Sequence, residues 1–147
     1  MNLKGKNAFV TGATGGLGRE ICNFLGDAGC RVFAIGRNKE KLLELQDVLG
    51  KNYLGYSVCD LENISEIQET TKSCLSVFDI DILINCAGVF PVSSLEKTSI
   101  ESYDTCFNVN VRAPFVLCKI LGQEMKKNKW GRIVNVCSSS SYAGYKD

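Results

Sequence analysis

The sequence lacks histidine altogether. Histidine is the commonest metal ligand and a frequent general acid or base, so its absence argues against a zinc site and against proton transfer through imidazole. Cysteine is present, but no two cysteines form a Cys-x-x-Cys pair. We therefore predict that the chain has no metal site and that any acid–base chemistry uses other side chains.

An excess of charge of one sign is also lacking. Lysine and arginine total 17 against 16 aspartates and glutamates, which leaves a formal net charge of +1. No basic run indicates a nucleic-acid partner, and no apolar stretch is long enough to predict a membrane span. Residues 1–6 lead directly into an apolar strand-like segment, so we expect no signal peptide.

Cysteine, in contrast, is abundant, with eight residues in the chain of 147. Most of these cysteines lie within apolar segments, where a free cysteine behaves as a small hydrophobic residue. This distribution favours a reduced, cytoplasmic protein over a disulfide scaffold. The cysteines are Cys22, Cys30, Cys59, Cys74, Cys86, Cys106, Cys118 and Cys137.

Strand-like and helix-like segments alternate along the chain without a long linker or a repeat. Predicted strands cover residues 7–10, 31–35, 53–58, 80–84 and 132–136, and predicted helices cover residues 16–27, 39–49, 64–77 and 99–127. This alternation predicts an α/β fold with a Rossmann-type, doubly wound parallel sheet in the order 3-2-1-4-5. A ligand crevice is expected at the carboxyl ends of the strands. The length of 147 residues is that of one domain.

The last predicted helix is apolar on two sides. One stripe contains Tyr103, Phe107, Val111, Leu117, Cys118 and Leu121, and the other contains Val109, Ala113, Val116 and Ile120. We expect one side to face the sheet and the Val109 stripe to lack a partner within the chain. We also expect Pro114 to interrupt the helix. Asn110 lies mid-helix, where asparagine is a poor helix former, and this predicts a kink or a site.

A glycine-rich run, Thr11-Gly12-Ala13-Thr14-Gly15-Gly16-Leu17-Gly18, lies between the first strand and the first helix. Gly12 permits a tight turn, Gly16 permits close approach of a phosphate to the backbone, and Gly18 permits close packing of helix on strand. The helix N-terminus then offers free N–H groups to an anion. The pattern predicts a nucleotide pyrophosphate site, and the alternative is an ordinary strand–helix turn.

Three further stretches extend this pattern: Asn85-Cys86-Ala87-Gly88, Asn108-Val109-Asn110-Val111, and Gly131-Arg132-Ile133-Val134-Asn135-Val136-Cys137-Ser138. With the T-G-x-x-x-G-x-G spacing of the glycine run, they resemble motifs of the short-chain dehydrogenase/reductase family. The matching family features are an N-x-A-G motif, an active-site asparagine and a strand that ends at an active-site serine. The resemblance is general toward 3-oxoacyl-acyl-carrier-protein reductases, so it leaves the substrate open.

The resemblance implies a nicotinamide cofactor bound along the glycine run and the neighbouring strand ends. It assigns the phosphates to Gly12, Thr14, Gly15, Gly16, Leu17 and Gly18, the adenine to Asp60, and the nicotinamide ribose to Asn85, Ala87 and Gly88. For Asp60 the alternative is a helix-capping or turn aspartate, and for Asn85 it is a purely structural role.

Arg37 follows the second predicted strand, at the place where a carboxylate would bind ribose hydroxyls. An arginine there can instead pair with a 2′-phosphate in bidentate geometry. The sequence therefore favours NADP, with NAD as the second choice. The alternative is a solvated surface arginine at the start of a helix.

The same resemblance implies two catalytic residues. Ser138 would hydrogen-bond the substrate carbonyl, and Asn110 would hold a water in a proton relay. Ser139, Ser140 and Ser141 leave the register of the serine open. The alternatives are a polar serine-rich loop and a buried, satisfied asparagine.

The tyrosine–lysine pair of the family has no match at the expected spacing. Tyr142 and Lys146 form a Y-x-x-x-K pattern only four residues after Ser138, where the family has a longer loop. Gly144 lies between them and disfavours a helix. We therefore expect this pair not to be catalytic and the fold to be truncated at the C-terminus, with residues 1–147 forming an incomplete dinucleotide-binding domain.

The sequence thus predicts an NADP-preferring oxidoreductase that transfers a hydride between the cofactor and a small carbonyl or alcohol substrate. Its full-length form is expected to be a homo-oligomer without nucleic-acid or membrane partners. The alternative is a non-catalytic dinucleotide-binding or interaction module.

Overall fold

The computed structural model describes residues 3–139. The strands are β1 (Asn7–Thr11), β2 (Arg31–Gly36), β3 (Tyr53–Val58), β4 (Ile82–Asn85) and β5 (Arg132–Asn135). The α-helices are α1 (Gly16–Asp27), α2 (Lys39–Leu49), α3 (Ile64–Leu75), α4 (Ile100–Phe107) and α5 (Ala113–Lys127). A π-helical segment, Asn108–Arg112, joins α4 to α5. Within this part of the chain, no helix combines the length and apolar character needed to cross a membrane.

The five strands form one parallel sheet in the order β3-β2-β1-β4-β5, which confirms the predicted fold class and strand order. β1 pairs with β2 on one side and with β4 on the other. Thr11 at the end of β1 stands opposite Asn85 at the end of β4. Because the strand order reverses at β1, the connections leave a crevice at this carboxyl edge of the sheet.

Helices cover both faces of the sheet, and β1 is buried along its whole length. Ala8 and Val10 belong to a cluster with Cys22 of α1 and Leu42 of α2. Phe9, on the opposite face, belongs to a second cluster built largely by α3 and α5. A strand buried on both faces is expected to carry a continuous apolar run rather than an alternating pattern, as residues 8–10 of β1 do.

Asparagine side chains start two of the helices. Asn38 Oδ1 accepts the N–H of Lys41 at 2.9 Å, and Asn63 Oδ1 accepts the N–H groups of Ser65 and Glu66. Such caps satisfy N–H groups that have no acceptor within the helix. The predicted bounds of α1, α2 and β3 are confirmed, whereas β4 begins at Ile82 because its pairing with β1 starts there.

The break in the last helix lies in the π-helical segment and not at Pro114, so the prediction for Pro114 was wrong. Pro114 lies in the first turn of α5, where a missing N–H is tolerated. Asn110 lies inside the π-helical segment, where the regular α-helical hydrogen-bonding pattern is interrupted.

The prediction for the two apolar stripes was also wrong. Val109 and Ala113, expected to lack a partner, are buried in the core at 8% and 1% exposure. They align instead with Leu117 and Leu121, because the extra residue of a π turn shifts the phase of the helix. The outer surface carries a different set, namely Tyr103, Phe107, Val111 and Phe115.

Candidate functional site

Gly12 turns the chain at the end of β1 in a backbone conformation that favours glycine. Its φ is +68°, and a Cβ at this position would lie 2.7 Å from the backbone N and Cα of Ala87. The turn after β1 therefore packs directly against the loop after β4. A Cβ at Gly18 would collide with the carbonyl of Gly12, so α1 packs equally closely against the turn.

The N-terminus of α1 has no side-chain cap. Its first helical hydrogen bond runs from the N–H of Arg19 to the carbonyl of Gly15 at 2.9 Å. The N–H groups of residues 16–18 precede that bond and have no acceptor within the helix. A Cβ at Gly16 would meet nothing within 4 Å, so the space beside these donors is open. This arrangement suits an anion.

A cleft of about 340 Å³ opens at the carboxyl edge of the sheet, and we name it the β1 cleft. The predicted residues that line it are Gly12, Thr14, Gly15, Arg37, Asp60, Ala87 and Gly88. The other lining residues are Ile35, Gly36, Asn38, Lys41, Cys59, Leu61, Cys86, Val89 and Val109. The fold thus brings predicted residues from the ends of four strands to one cleft.

The end of β2 lies against the glycine run. A Cβ at Gly36 would lie 2.9 Å from both Cγ2 and Oγ1 of Thr14. Arg37 follows, and Lys41 in the first turn of α2 lines the same cleft. Neither cation has an ion-pair partner among residues 3–139. Both charges are therefore available to an anionic ligand.

Asp60 forms a turn immediately after β3. Its Oδ1 accepts the N–H of Glu62 at 3.0 Å, and its own N–H donates to Glu66 Oε2 at 2.9 Å. Asn63, rather than Asp60, caps α3. The local contacts of Asp60 are those of a turn aspartate, which was the alternative to adenine binding. Asp60 also lines the β1 cleft, and its contact with adenine stays a prediction.

Two cysteines in the cleft have perturbed thiols. Burial raises the pKa of the Cys59 thiol, and burial likewise raises the pKa of the Cys86 thiol. The thiolate is the nucleophilic form of cysteine, so these protonated thiols provide apolar lining rather than nucleophiles at neutral pH.

A second cavity of about 680 Å³, which we name the β5 cavity, lies between the ends of β4 and β5 and the π-helical segment. It is lined by Asn85, Cys86, Ala87, Gly88, Val89, Phe90, Asn110, Val111, Pro114, Phe115, Cys118, Asn135, Val136, Cys137 and Ser138. The two cavities share residues 86–89, so the loop after β4 is the wall between them.

Asn85 is buried at the end of β4, with 3% of its surface exposed. Its Nδ2 donates to Asn135 Oδ1 at 2.8 Å and approaches Cys118 Sγ at 3.6 Å, which connects β4 to β5 and to α5. Its Oδ1 has no hydrogen-bond partner in the part of the chain described. The contacts of Asn85 are thus structural, and its contact with a cofactor stays a prediction.

Asn110 joins the π-helical segment to the loop after β4. Its Oδ1 accepts the N–H of Val89 at 2.9 Å, and its Nδ2 donates to the carbonyl of Val89 at 2.8 Å. Ser138, after β5, is exposed and lines the same cavity as Asn110. The two residues predicted to be catalytic therefore meet at the β5 cavity, although they lie 28 positions apart in the chain.

Two residues at the site were missed by the sequence reasoning. Thr11 is buried, and its Oγ1 accepts the N–H groups of Cys86 and Ala87 at 3.1 and 3.2 Å, which holds the loop after β4. Thr11 is the threonine of the T-G-x-x-x-G-x-G spacing, but this spacing does not indicate its contact with residues 86 and 87. Lys41 was missed because its signal, a second cation four residues after Arg37, is common on helix surfaces.

Residues 3–139 contain no group of three or more potential ligands that could hold a metal ion. Tyr142 and Lys146 lie outside the described residues, as do Ser140 and Ser141, so the expectations about them stay predictions.

The parallel sheet in the order β3-β2-β1-β4-β5 and the glycine turn after β1 are those of a Rossmann-type α/β protein. The chain belongs to the short chain dehydrogenase family, whose model matches residues 6–147.

Individual relatives agree with this membership. The 3-oxoacyl-[acyl-carrier-protein] reductase of Rickettsia felis is 32% identical over 98% of the chain, and the D-threitol dehydrogenase of Mycolicibacterium smegmatis is 32% identical over 95%. The chain spans 58% and 55% of the lengths of these two proteins. A closed form of serine dehydrogenase complexed with NADP+ superposes with a TM-score of 0.86 at 31% identity, over 95% of this chain and 56% of that one.

Proposed function

We propose that this chain is the nucleotide-binding part of an NADP-preferring oxidoreductase acting on a small carbonyl or alcohol substrate. The observation that supports the proposal best is the β1 cleft, which joins a glycine-lined helix N-terminus at one end to Arg37 at the other. A pyrophosphate suits the first part, and a phosphate monoester suits the second.

Open space at the helix N-terminus supports a phosphate site there. At Gly12, Gly18 and Gly36 a Cβ would press on neighbouring atoms, and at Gly16 the space is open. In the proposed complex, Thr14, Gly15 and the N–H groups of residues 16–18 hold the pyrophosphate. Arg37 holds the 2′-phosphate, Asp60 lies at the adenine, and residues 85–88 lie at the nicotinamide ribose. The NADP+ bound to the serine dehydrogenase relative supports this choice of cofactor.

The β5 cavity is the proposed place for the substrate. The bound cofactor would supply or accept a hydride there. Ser138 would donate its hydroxyl hydrogen to the carbonyl oxygen and so stabilise the negative charge that develops on it. Asn110 Oδ1 uses one lone pair for the Val89 N–H. Its second lone pair can accept a hydrogen bond from a water, as the proposed proton relay requires.

A cytoplasmic location and a homo-oligomeric full-length form belong to the same proposal. The scattered, unpaired cysteines support the first. The exposed apolar surface of α4 and α5 supports the second.

A titration of both reduced nucleotides tests the cofactor assignment. NADPH should bind more tightly than NADH, and Arg37→Asp should narrow or reverse this difference. A hydrogen-bonded charge pair contributes about 1.5–3 kcal/mol, so the preference should be about tenfold or more. Nicotinamide fluorescence measures both affinities. Equal affinities that do not change in Arg37→Asp would reject the assignment.

Isotope transfer distinguishes the oxidoreductase from a non-catalytic binding module. The chain is incubated with C4-deuterated NADPH and a panel of ketones and aldehydes, and mass spectrometry detects deuterium in the alcohols. We expect only trace transfer, because Tyr142 and Lys146 are not at the family's spacing, and Ser138→Ala should remove it. Robust transfer lost in Tyr142→Phe would instead identify Tyr142 as catalytic. Tight nucleotide binding without transfer would favour the binding module.

A further inference from the structure

Two cations stand on the same rim of the β1 cleft. Arg37 directly follows β2, and Lys41 lies four residues later in α2. Both line the cleft, and both are exposed. Lys41 lies in the first turn of α2, where the helix dipole disfavours a cation, and neither cation is paired with a carboxylate in residues 3–139. Local stability therefore does not account for the arrangement.

The start of α2 directs Lys41 toward Arg37. Side chains in an α-helix tilt toward the N-terminus and cover the preceding turn. That turn is fixed, because Asn38 Oδ1 accepts the backbone N–H of Lys41 at 2.9 Å. The contact uses the backbone of Lys41 and leaves its ammonium group unconstrained. Lys41 and Arg37 thus both line the β1 cleft at the start of α2.

The charges that line the cleft also favour an anion at this end. Arg37 and Lys41 lie beside the end of β2, and Asp60, the one carboxylate among the described lining residues, follows β3. A ligand with a second phosphate near Arg37 would neutralise both cations. A ligand with free ribose hydroxyls would leave both positive charges without a neutralising anion.

We propose that Lys41 is a specificity-determining residue that binds the 2′-phosphate of NADP together with Arg37. This inference rests on the proposed function and extends it, because no motif in the sequence identifies Lys41. In the proposed complex Arg37 supplies bidentate hydrogen bonds to the phosphate, and Lys41 supplies a second, compact positive charge.

Calorimetry with 2′,5′-ADP and 5′-AMP tests Lys41 without involving the nicotinamide or any turnover. Lys41→Gln should lower the affinity for 2′,5′-ADP by about threefold, as expected for an exposed charge pair. The affinity for 5′-AMP should not change. Lys41→Arg should restore the affinity for 2′,5′-ADP. Lys51→Gln, beyond the opposite end of α2, removes the same charge and should change neither affinity.

The outcomes separate this inference from the proposed function. If wild-type protein prefers 2′,5′-ADP but Lys41→Gln binds it as tightly, Lys41 has no role and the NADP assignment stands on Arg37 alone. An equal loss of affinity for both nucleotides in Lys41→Gln would also overturn the inference, because it would indicate a general electrostatic effect. If wild-type protein binds neither nucleotide, the proposed function fails, and the role of Lys41 fails with it.

Discussion

At the scale of single residues, the glycines of the glycine-rich run differ in whether a Cβ would meet neighbouring atoms. Gly12 and Gly18 have neighbours that a Cβ would strike, so they serve the packing of the turn whether or not a ligand binds. Gly16 has open space around it. A glycine without a packing reason, placed at the first position of a helix, is better explained by the ligand than by the fold.

Gly16→Ala should therefore separate folding from binding. Alanine is favoured over glycine within a helix by up to about 1 kcal/mol, so the melting temperature should stay the same or rise. The added methyl group would occupy the space beside the N–H groups of residues 16–18, and NADPH affinity should fall about tenfold, by steric exclusion of the phosphate. Thermal unfolding and nicotinamide fluorescence measure the two effects.

Gly12→Val is the contrasting variant. A β-branched residue is strained at a φ of +68° and would press on Ala87, so both stability and nucleotide binding should be lost. If Gly16→Ala binds NADPH as wild type does, the pyrophosphate does not lie at this turn.

The residues that could be predicted from the sequence are those whose role depends on local backbone geometry. The glycines of the turn after β1 belong to this group, and the functional roles of Arg37 and Asn110 stay predictions. Thr11 does not belong to the group, because its hydroxyl acts on Cys86 and Ala87, about 75 residues away, and only the pairing of β1 with β4 brings them together.

At the scale of helices and strands, the π-helical segment contributes lining residues to both cavities. Asn110 binds both backbone groups of Val89, in the wall between the cavities. Arg112 donates to the carbonyl of Glu62 at 3.0 Å, near the turn of Asp60. The segment therefore connects the Asp60 side of the β1 cleft to the β5 cavity.

Asn110→Ala should loosen the loop after β4. The Val89 N–H would lose its acceptor, so amide hydrogen exchange in the peptide that contains Val89 should become faster. Affinity for NADPH should fall, whereas affinity for 2′,5′-ADP, which has no nicotinamide, should not. Asn108→Ala is the matched control, because Asn108 lies in the same segment and its side chain has no hydrogen bond with described residues. Unchanged exchange at Val89 would show that Asn110 does not hold the loop.

Element boundaries were predictable where local caps set them. Asn38 precedes α2 and bonds within its first turn, so the start of that helix is encoded locally. Asn110 indicated an irregularity in the last helix, but the extent of the π-helical segment could not be predicted from the sequence. Bonds to Val89 and Glu62, which are distant in sequence, stabilise it. The sequence analysis assumed a regular α-helix without the extra residue of the π turn, so it assigned the apolar stripes to the wrong sides.

At the scale of the whole molecule, one surface is conspicuously apolar. Tyr103, Phe107, Val111 and Phe115 are 51%, 47%, 54% and 67% exposed along α4, the π-helical segment and α5. β5 is at the edge of the five-stranded sheet, and its Ile133 and Val134 are 41% and 46% exposed. Exposed apolar side chains along α4, the π-helical segment and α5 mark an interaction site or an aggregation liability. The predicted association through the Val109 stripe was wrong in its premise, because Val109 and Ala113 are buried, and association through the exposed side chains of α4 and α5 is a new prediction.

The 147-residue chain should therefore self-associate and bind a hydrophobic dye. Full burial of one large apolar side chain is worth about 1.5–3 kcal/mol, so several together favour association. Phe115→Lys should lower both the mean mass in light scattering and the dye fluorescence. Phe24→Lys is the control, because Phe24 is 78% exposed on α1, which covers the other face of the sheet. An equal effect of both variants would indicate non-specific adhesion. A monodisperse wild-type monomer that binds no dye would contradict the prediction, and it would favour the self-contained binding module over the oligomeric oxidoreductase.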